Sequence, residues 1–399
     1  MTKSQTSRSY DECAAIALFK SERPWCHHVL TKLSLTQKLT VLYAAPVIEE
    51  TGIDGLIDHL NRTIEANNIE RIFFFLDFFY GLDKSFVERV TQNVVKILVT
   101  FDDLTLHGFN AHTASVCDLV LSADPLSVLK YQEAGIQAGL FLLESSRHLY
   151  KRKEVEKTTD VLFFGNEGLA DRNQYLEYLR ANGVSLRSIG GKDRYIDAVS
   201  LVDEIVSAKI VINFSKTGYL GDGGVGQVGQ QCLFQLKGRI IESGLCGTAC
   251  ISEYAPAVRL LFNQDEVPVF RSKVECLRLI KEFLRNDNKR MTVANSLFEK
   301  CISEFEDEPL MQQVESLIGE TGLLNGKDRN AEATILPWWY RKRVVRARIQ
   351  LVWASPKEIL RELAGIFNSP RNSPKKDSAI LLLNTLCWMG YHFIRRRTC

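Results

Sequence analysis

Short apolar segments rich in β-branched and aromatic residues alternate with amphipathic segments along most of the chain. Five segments in the first part are interpreted as strands: 40–47, 71–78, 96–103, 119–124 and 139–144. Between the first two of them, helical periodicity places four apolar side chains on one face: Leu56, Ile57, Leu60 and Ile64. Continuous apolar strands that alternate with helices indicate a parallel sheet covered on both faces.

The same alternation resumes after a charged segment at 146–160, which we interpret as a linker. Five further strands are predicted: 160–166, 185–190, 209–215, 248–253 and 267–272. Beyond Arg285 the pattern is helical to the end. The sequence therefore predicts two doubly wound α/β domains with a cleft between them, followed by a helical tail. The expected boundaries are 1–150, 151–325 and 326–399.

Composition narrows the class of protein without identifying it. Hydrophobic residues make up 45% and charged residues 25% of the 399 positions, as is usual for a globular protein with more than one domain. The polar N-terminus has no apolar signal-peptide core, which favours a cytoplasmic protein. The ten cysteines include no CxxC pair, so we expect reduced thiols instead of a disulfide framework or a zinc site.

Charge is distributed unevenly along the chain. The segment 331–399 contains 13 Lys/Arg and 4 Asp/Glu, a net charge of +9, which leaves −7 for the other 330 residues. Within it, 16 mostly apolar residues (379–394) lie between basic residues, too few to span a bilayer comfortably. We therefore expect 337–399 to lie on an anionic membrane, on the inner face of the cell membrane, and not to bind nucleic acid. An amphipathic helix packed on the body or on another subunit is the alternative.

A glycine-rich loop has the spacing of a dinucleotide-binding fingerprint: Gly221, Gly223, Gly224 and Gly226. Its position argues against that function, because it follows the third strand of its domain and the acidic residue about 20 positions on, Glu242, lies in a predicted helix and not at the end of a second strand. The Gly-Lys-Ser/Thr of a Walker A motif is also missing from it. We interpret the loop as a flap that closes over a ligand; an ordinary surface loop is the alternative.

The helix that follows carries two cations and a carboxylate within six residues: Lys237, Arg239 and Glu242. Cations neutralise a diphosphate, and a carboxylate accepts hydrogen bonds from ribose hydroxyls. These two cations and the carboxylate together therefore suit a nucleotide that has both a diphosphate and a ribose. Because Arg239 and Glu242 are three residues apart on a helix, a surface ion pair is equally compatible with the spacing.

Four segments, in order, carry a family resemblance: VLFFGNEGLADRNQYLEYLRANG, SAKIVINFSKTG, QLKGRIIESGLCGTACISE and LLFNQDEVPVFRSKVECLRLIKEFLRND. They resemble the C-terminal half of GT-B glycosyltransferases, especially the CgeB-type (spore-maturation-protein-like) group. The N-terminal half is compatible, with RPWCHHVLTKLSLTQKLTVLYAAP similar to the opening of many such enzymes. The resemblance extends from about Arg23 to Asn286.

The resemblance implies a hexosyltransferase that moves a sugar from a nucleotide-diphosphate sugar to a cell-surface glycan or lipid-linked acceptor. Residues 1–150 would be the acceptor-side domain and 151–325 the donor-binding domain. No cofactor and no metal are expected in this fold. A sugar-nucleotide enzyme such as an epimerase, or an inactive scaffold at the membrane, are the alternatives.

Site residues follow from the resemblance one by one. Glu242 would hold the donor ribose, and Lys237 and Arg239 would face the diphosphate. Gly165 would let the backbone approach the phosphates, and Arg172 would supply a further cation.

One position departs from the family, because Phe234 stands where retaining members with two glutamates separated by seven residues have the first of them. The stereochemical outcome is therefore open. An inverting reaction needs a base, for which Asp103 or His107 is favoured among strand-end groups that include Asp77 and Asp102. Helix capping is the alternative role for these carboxylates.

The stretch WCHH (25–28) is interpreted as a helix start near the acceptor, or as a structural histidine pair. No second pair of ligands accompanies it at the spacing of a metal site. A magnesium site at Asp102 and Asp103 belongs to a different glycosyltransferase fold and is not expected.

Overall fold

The computed structural model describes residues 13–76, 82–143, 146–168, 171–190, 196–216, 233–324, 356–367 and 375–397, with isolated positions between 342 and 349. The chain forms two compact units. Unit 1 comprises 1–121, 129–139 and 315–399; unit 2 comprises 122–128 and 140–314. The predicted domain boundaries at 150 and 325 stay predictions.

The sheet of unit 1 has six strands in the order β2-β1-β3-β4-β5-β6. They are β1 Ala14–Phe19, β2 Lys38–Tyr43, β3 Arg71–Phe75, β4 Val95–Thr100, β5 Leu119–Ser122 and β6 Ala138–Leu140. Strand β1 pairs in parallel with both β2 and β3. Consecutive residues of β3 from Ile72 to Phe75 are buried, so both faces of the sheet are covered.

Helices connect these strands. They are α1 Pro24–Leu33, α2 Ala44–Ala66, α3 Lys84–Arg89, α4 Asp103–Ala114 and α5 Pro125–Glu133. The four apolar residues predicted to share a helical face are all buried on α2. Gly52, with φ 74°, interrupts this helix with a kink.

The sheet of unit 2 has five strands in the order β11-β10-β9-β7-β8. They are β7 Thr159–Phe164, β8 Leu186–Ile189, β9 Ala208–Asn213, β10 Ala249–Glu253 and β11 Val269–Phe270. Along β7, Leu162 and Phe164 belong to one hydrophobic cluster, whereas Val161 and Phe163 belong to another. Side chains alternate between the faces of a strand, so unit 2 has a core on each side of its sheet. The prediction of two doubly wound parallel sheets is confirmed.

The helices of unit 2 are α6 Arg172–Ala181, α7 Ala198–Ser207, α8 Arg239–Leu245, α9 Pro256–Leu261, α10 Lys273–Arg285 and α11 Asp287–Lys300, followed by a π-helical turn at Cys301–Phe305. The chain continues in α12 Asp307–Leu324, α13 Pro356–Phe367 and α14 Lys375–Arg397. The helical pattern predicted beyond Arg285 is therefore confirmed within the described residues. The eight cysteines of the described part of the chain form no disulfide bond with one another.

Candidate functional site

Strand order in unit 2 defines where a ligand would bind. The first strand of unit 2 along the chain, β7, lies between β8 and β9. The connection that leaves β7 therefore runs toward β8 on one side, and the connection that leaves β9 runs toward β10 on the other side. Ligands of doubly wound sheets bind at such a switch point, outside the carboxyl ends of the strands. Here the switch point lies at the ends of β7 and β9, next to Gly165 and Phe214.

Gly165 directly follows β7 and has φ 127°, a conformation that other residues rarely adopt. Its N–H donates to the carbonyl of Ile189 at the end of β8, over 2.8 Å. A Cβ at Gly190 would lie 2.8 Å from the nitrogen of Gly165. Two glycines therefore allow the ends of β7 and β8 to approach each other closely.

The guanidinium of Arg239 contacts this turn. Its Nε donates to the carbonyl of Phe164, and its Nη1 donates to Asn213 Oδ1 over 3.3 Å. A Cβ at Gly165 would lie 2.2 Å from Nη2 of Arg239. The side chain thus bridges the ends of β7 and β9, and Gly165 makes room for a protein cation at the switch point.

A second guanidinium, that of Arg172, lies at the start of α6. The residue is only 2% exposed, and it donates to the carbonyls of Asn166 (3.0 Å) and Lys216 (3.2 Å). Its Nε is buried without a hydrogen-bond partner among the described residues. Burial, and secondly the charge of Arg239, lower the pKa of Arg172 to about 10. Two neighbouring cations, one of which keeps a buried N–H without a partner among the described residues, suit an anionic ligand.

A buried carboxylate, Glu253, holds the backbone after β9. Its Oε2 accepts hydrogen bonds from the N–H groups of Ser215 and Lys216, each over 3.0 Å. Burial raises the pKa of Glu253. The ammonium of Lys216 lies 2.7 Å from Asp171 Oδ2 and 3.9 Å from Glu253 Oε1. Sequence reasoning missed this network, although Glu253 could have been noticed as an acidic residue that ends an apolar strand.

Glu242 lies on α8 and is buried, with 7% of its surface exposed. Its Oε1 accepts a hydrogen bond from the hydroxyl of Tyr150 over 2.8 Å. This burial differs from the surface ion pair that the spacing also allowed. Tyr150 was not predicted from the sequence, because it precedes Glu242 by 92 residues within the segment interpreted as a linker.

Lys237 precedes α8, and its Nζ donates to Gln235 Oε1 over 2.9 Å. Phe234, at the position of the family's first glutamate, forms an isolated bridge with Lys216. The ammonium of Lys216 lies 5.8 Å from the centre of the Phe234 ring. An aromatic face therefore lies next to a cation at the position where those family members have a carboxylate.

Unit 1 brings the two favoured acid–base candidates together. Asp103 is fully buried at the start of α4, and its carboxylate accepts from Asn110 Nδ2 (2.6 Å) and the Tyr131 hydroxyl (2.8 Å). Nδ1 of His107 lies 3.1 Å from Asp103 Oδ2. Because a carboxylate only accepts hydrogen bonds, Nδ1 carries the proton and Nε2 is the basic nitrogen.

The carboxyl ends of β1 and β3 form the switch point of unit 1, and aromatic rings fill it. Phe19 stacks on Phe75 with their centroids 4.5 Å apart, and Phe101 lies 6.1 Å from Phe75. Trp25, near the start of α1, contacts Phe19 and Phe101 edge-on. The switch point of unit 1 is therefore apolar, in contrast to the cationic one of unit 2.

The comparisons with known proteins apply to this geometry. Residues 157–316 match a family model described as glycosyl transferase-like. The matched segment contains the sheet of unit 2, its two arginines and Glu242. A comparison with curated proteins found no match.

Three solved structures are similar to the chain over both units. HepE of Anabaena in complex with UDP-glucose has a TM-score of 0.52 and 12% identity, over 77% of this chain and 99% of its own. Sucrose-phosphate synthase of Thermosynechococcus elongatus has a TM-score of 0.53 and 9% identity, over 78% and 100%. A glycosyltransferase of Rickettsia africae has a TM-score of 0.54 and 8% identity, over 80% and 100%. The fold of the chain is that of GT-B glycosyltransferases, as predicted; the CgeB-type subgroup stays a prediction.

Several predicted features lie outside the described residues: the glycine-rich loop (Gly221, Gly223, Gly224 and Gly226) and Asp77. In the described part of the chain, no cluster of three or more His, Cys, Asp or Glu side chains has the arrangement of a metal site. Nor does any helix described there combine the length and apolarity needed to cross a membrane.

Proposed function

We propose that the protein transfers a hexosyl group from a nucleotide-diphosphate sugar to a glycan or lipid-linked acceptor. The observation that carries this proposal is the pair of guanidinium groups, Arg172 and Arg239, at the switch point of unit 2, inside the segment that matches the glycosyl transferase-like model. HepE, which has the same fold, was solved in complex with UDP-glucose, and this supports a nucleotide-sugar donor.

The diphosphate is assigned to the two arginines and Lys237. As the bond between the sugar and the diphosphate breaks, negative charge develops on the departing oxygen, and fixed cations stabilise it without reorganisation. The N-terminus of α6 adds partial positive charge on the same side. Gly165 contributes by letting the Arg239 guanidinium reach the end of β7.

The ribose is assigned to Glu242. Tyr150 donates a hydrogen bond to Oε1 of Glu242 and so fixes the orientation of this carboxylate, a group that accepts hydrogen bonds from ribose hydroxyls. Tyr150 thereby acts as a positioning residue. The acceptor hydroxyl is assigned to Nε2 of His107, with Asp103 fixing the orientation and tautomer of the imidazole.

Thermal denaturation with UDP, GDP, CDP and ADP, free and as sugar conjugates, tests the donor assignment. We expect at least one nucleotide to raise the melting temperature, and Glu242→Ala to weaken its binding about tenfold or more. Glu299→Ala, on the exposed surface of the same unit, is the matched control and should bind as the wild type. No shift with any nucleotide would reject the transferase and epimerase assignments together.

Incubation of the protein and its sugar nucleotide with a panel of glycans and glycolipids then distinguishes transfer from epimerisation. A transferase forms a new glycoside and free nucleoside diphosphate, whereas an epimerase leaves a sugar nucleotide of altered configuration. Product analysis by mass spectrometry and NMR distinguishes these outcomes.

A further inference from the structure

Helix α14 has one packed face and one exposed apolar face. Ser378, Leu381 and Thr385 are buried, in keeping with helical spacing. On the other side the exposed fractions are 42% at Ile380, 64% at Leu383, 44% at Leu386 and 60% at Tyr391. These values are high for such large side chains, which normally expose little surface when they serve a core.

The exposed residues form a continuous stripe along the helix. Leu383 follows Ile380 by three positions, Cys387 follows by four more, and Tyr391 by another four, which keeps them on one side of a helix with 3.6 residues per turn. Cys387 is exposed as well. No acidic residue occurs from Ser378 to Ile394. The stripe is therefore about three turns long and uncharged.

Basic residues border this stripe at both ends. Lys375 and Lys376 begin the helix, and a run of three arginines ends it: Arg395, Arg396 and Arg397. Asp377 is the only acidic residue of the helix. In addition, the guanidinium of Arg346 lies 5.5 Å from the centre of the Trp388 ring, which adds a cation beside the middle of α14. The surroundings of the apolar stripe are strongly cationic.

Helix α13 links α14 to the remainder of unit 1. Helix α13 lies against α14. In turn, Ile366 of α13 is buried, and Arg361 pairs with Asp54 on α2. The same carboxylate pairs with Arg89 over 2.6 Å. The apolar stripe is thus displayed from a helix attached to the body of its unit.

We propose that the exposed face of α14 lies in the interface of an anionic lipid bilayer. An apolar stripe bordered by cations fits a membrane whose acyl region accepts the stripe and whose headgroups pair with Lys and Arg. Trp388 and Tyr391 are residue types that favour this boundary. None of the described helices is long and apolar enough to span the bilayer, so α14 lies parallel to the membrane plane. A second copy of the chain fits less well, because two such helices would bring their cationic ends together.

Vesicle flotation with the full chain tests this proposal. Vesicles of pure phosphatidylcholine are compared with vesicles that contain one quarter phosphatidylglycerol. The wild type should partition into the anionic vesicles at least tenfold more strongly than into the neutral ones, and high salt should reduce the difference. The variant Leu383→Glu/Tyr391→Glu should lose at least tenfold in partition coefficient, because it places two charges in the apolar stripe.

Val274→Glu is the matched control, since Val274 is 67% exposed on α10 of unit 2 and has no part in the proposal. It should float as the wild type does. Circular dichroism and melting temperature establish that every variant is folded. Failure of the wild type to float, or equal flotation of the double variant, would overturn the proposal.

Sedimentation of the free proteins identifies the competing occupant. If the wild type is a dimer that Leu383→Glu/Tyr391→Glu converts to a monomer, without an effect on flotation, the stripe is an interface between copies and the membrane proposal is wrong. The membrane proposal does not depend on the proposed glycosyltransferase activity, because nucleotide binding is measured separately, by thermal shift, and is assigned to unit 2. Either can fail while the other holds.

Discussion

The guanidinium groups of Arg172 and Arg239 lie close to each other at the ends of β7 and β9. Arg172 loses solvation by burial, and the nearby charge of Arg239 opposes its own, so both effects lower the pKa of Arg172 to about 10. Placing two cations together costs free energy unless an anion offsets it. Such an arrangement is common where a phosphate group binds.

At the same scale, the imidazole of His107 is predicted to take up the acceptor proton. His107→Gln should lower kcat about 100-fold or more, because it removes the proposed base while leaving the proposed nucleotide site of unit 2 unchanged. Asp103→Asn should also lower kcat, since the amide no longer fixes the tautomer. Tyr131→Phe, which keeps the carboxylate, is the control and should have a smaller effect.

Turnover of the sugar nucleotide identified by thermal shift, measured at one pH for the wild type and the three variants, checks this prediction. Nucleotide affinity, measured in parallel, should be the same in His107→Gln as in the wild type. If His107→Gln retains the wild-type kcat, the base is a different residue.

A second residue-scale prediction concerns Glu253, whose buried carboxyl has a pKa raised above 4.5. The folded protein therefore binds this proton more tightly than the unfolded chain, so Glu253 lowers the free energy of unfolding as pH rises through the window between the two pKa values. Glu253→Gln does not ionise. Its stability relative to the wild type should increase with pH across that window and then level off.

Thermal denaturation by circular dichroism, from pH 3 to 8, measures this difference. Glu282→Gln is the control with the opposite sign, because the hydrogen bond from Lys289 lowers the pKa of Glu282. There the wild type should lose stability relative to the variant as pH falls. A stability difference for Glu253→Gln that does not change with pH would contradict the prediction.

Among the elements, the turns after β7 and β8 explain why the switch point of unit 2 can hold a guanidinium. Gly165 and Gly190 both have positive φ and have no Cβ to keep the strand ends apart. The corresponding strands of unit 1, β1 and β2, end at Phe19 and Tyr43, whose ring centroids lie 6.2 Å apart. One strand order therefore supports a polar site in one unit and an aromatic cluster in the other.

Gly165→Ala tests the importance of this turn. The new Cβ would overlap the Arg239 side chain, and the alanine would have to keep a φ of 127°, which is unfavourable for it. We therefore expect the free energy of unfolding to fall by about 3 kcal/mol or more. Nucleotide affinity should fall as well. Gly183→Ala is the matched control: its φ is 80°, but no atom lies within 4 Å of the new Cβ. It should cost about 1–2 kcal/mol and leave nucleotide binding unchanged.

Urea unfolding followed by circular dichroism, with nucleotide titration in parallel, measures both quantities. Equal losses for Gly165→Ala and Gly183→Ala would show that backbone strain alone matters and that the position of Arg239 does not.

At the scale of the whole molecule, unit 1 is assembled from segments far apart in sequence. Arg71 at the start of β3 pairs with Glu315 on α12 over 2.7 Å, across 244 residues. Both side chains are largely buried, at 13% and 3% exposed. A buried pair of this kind is costly to break on one side, because the remaining charge is left without its partner.

Glu315→Leu should therefore destabilise unit 1 by about 3 kcal/mol, whereas Arg71→Met/Glu315→Leu should recover most of the loss. Trp25 and Trp388, the tryptophans among the described residues, lie in unit 1, so the urea transition of tryptophan fluorescence reports this unit. Nucleotide affinity, assigned to unit 2, should stay unchanged in both variants. A double variant less stable than Glu315→Leu would contradict the prediction.

The strand pattern predicted ten of the eleven strands in the described residues and missed β1. Its sequence, AAIALF, has three alanines, which have low strand propensity, and it lacks the β-branched run that marks the other strands. The structure places β1 inside the sheet, between β2 and β3. Burial on both faces and pairing on both edges outweigh a weak local preference there.

The predicted site residues divide in a similar way. Arg239 and Glu242 were predicted because a charged cluster on one helix is visible in sequence, and Arg172 was predicted through the family resemblance. Tyr150 and Glu253 were not, since their significance comes from hydrogen bonds to residues 92 and 38 positions away.

Local pattern by itself determined the two alternating α/β regions, most helices, the basic tail and the family resemblance, because periodicity and residue order are properties of short segments. Only the tertiary structure decided which carboxylate is buried, which cations are neighbours, and which side of α14 is exposed. These depend on strand order and on contacts between distant segments, which bring together residues that carry no joint signal along the chain.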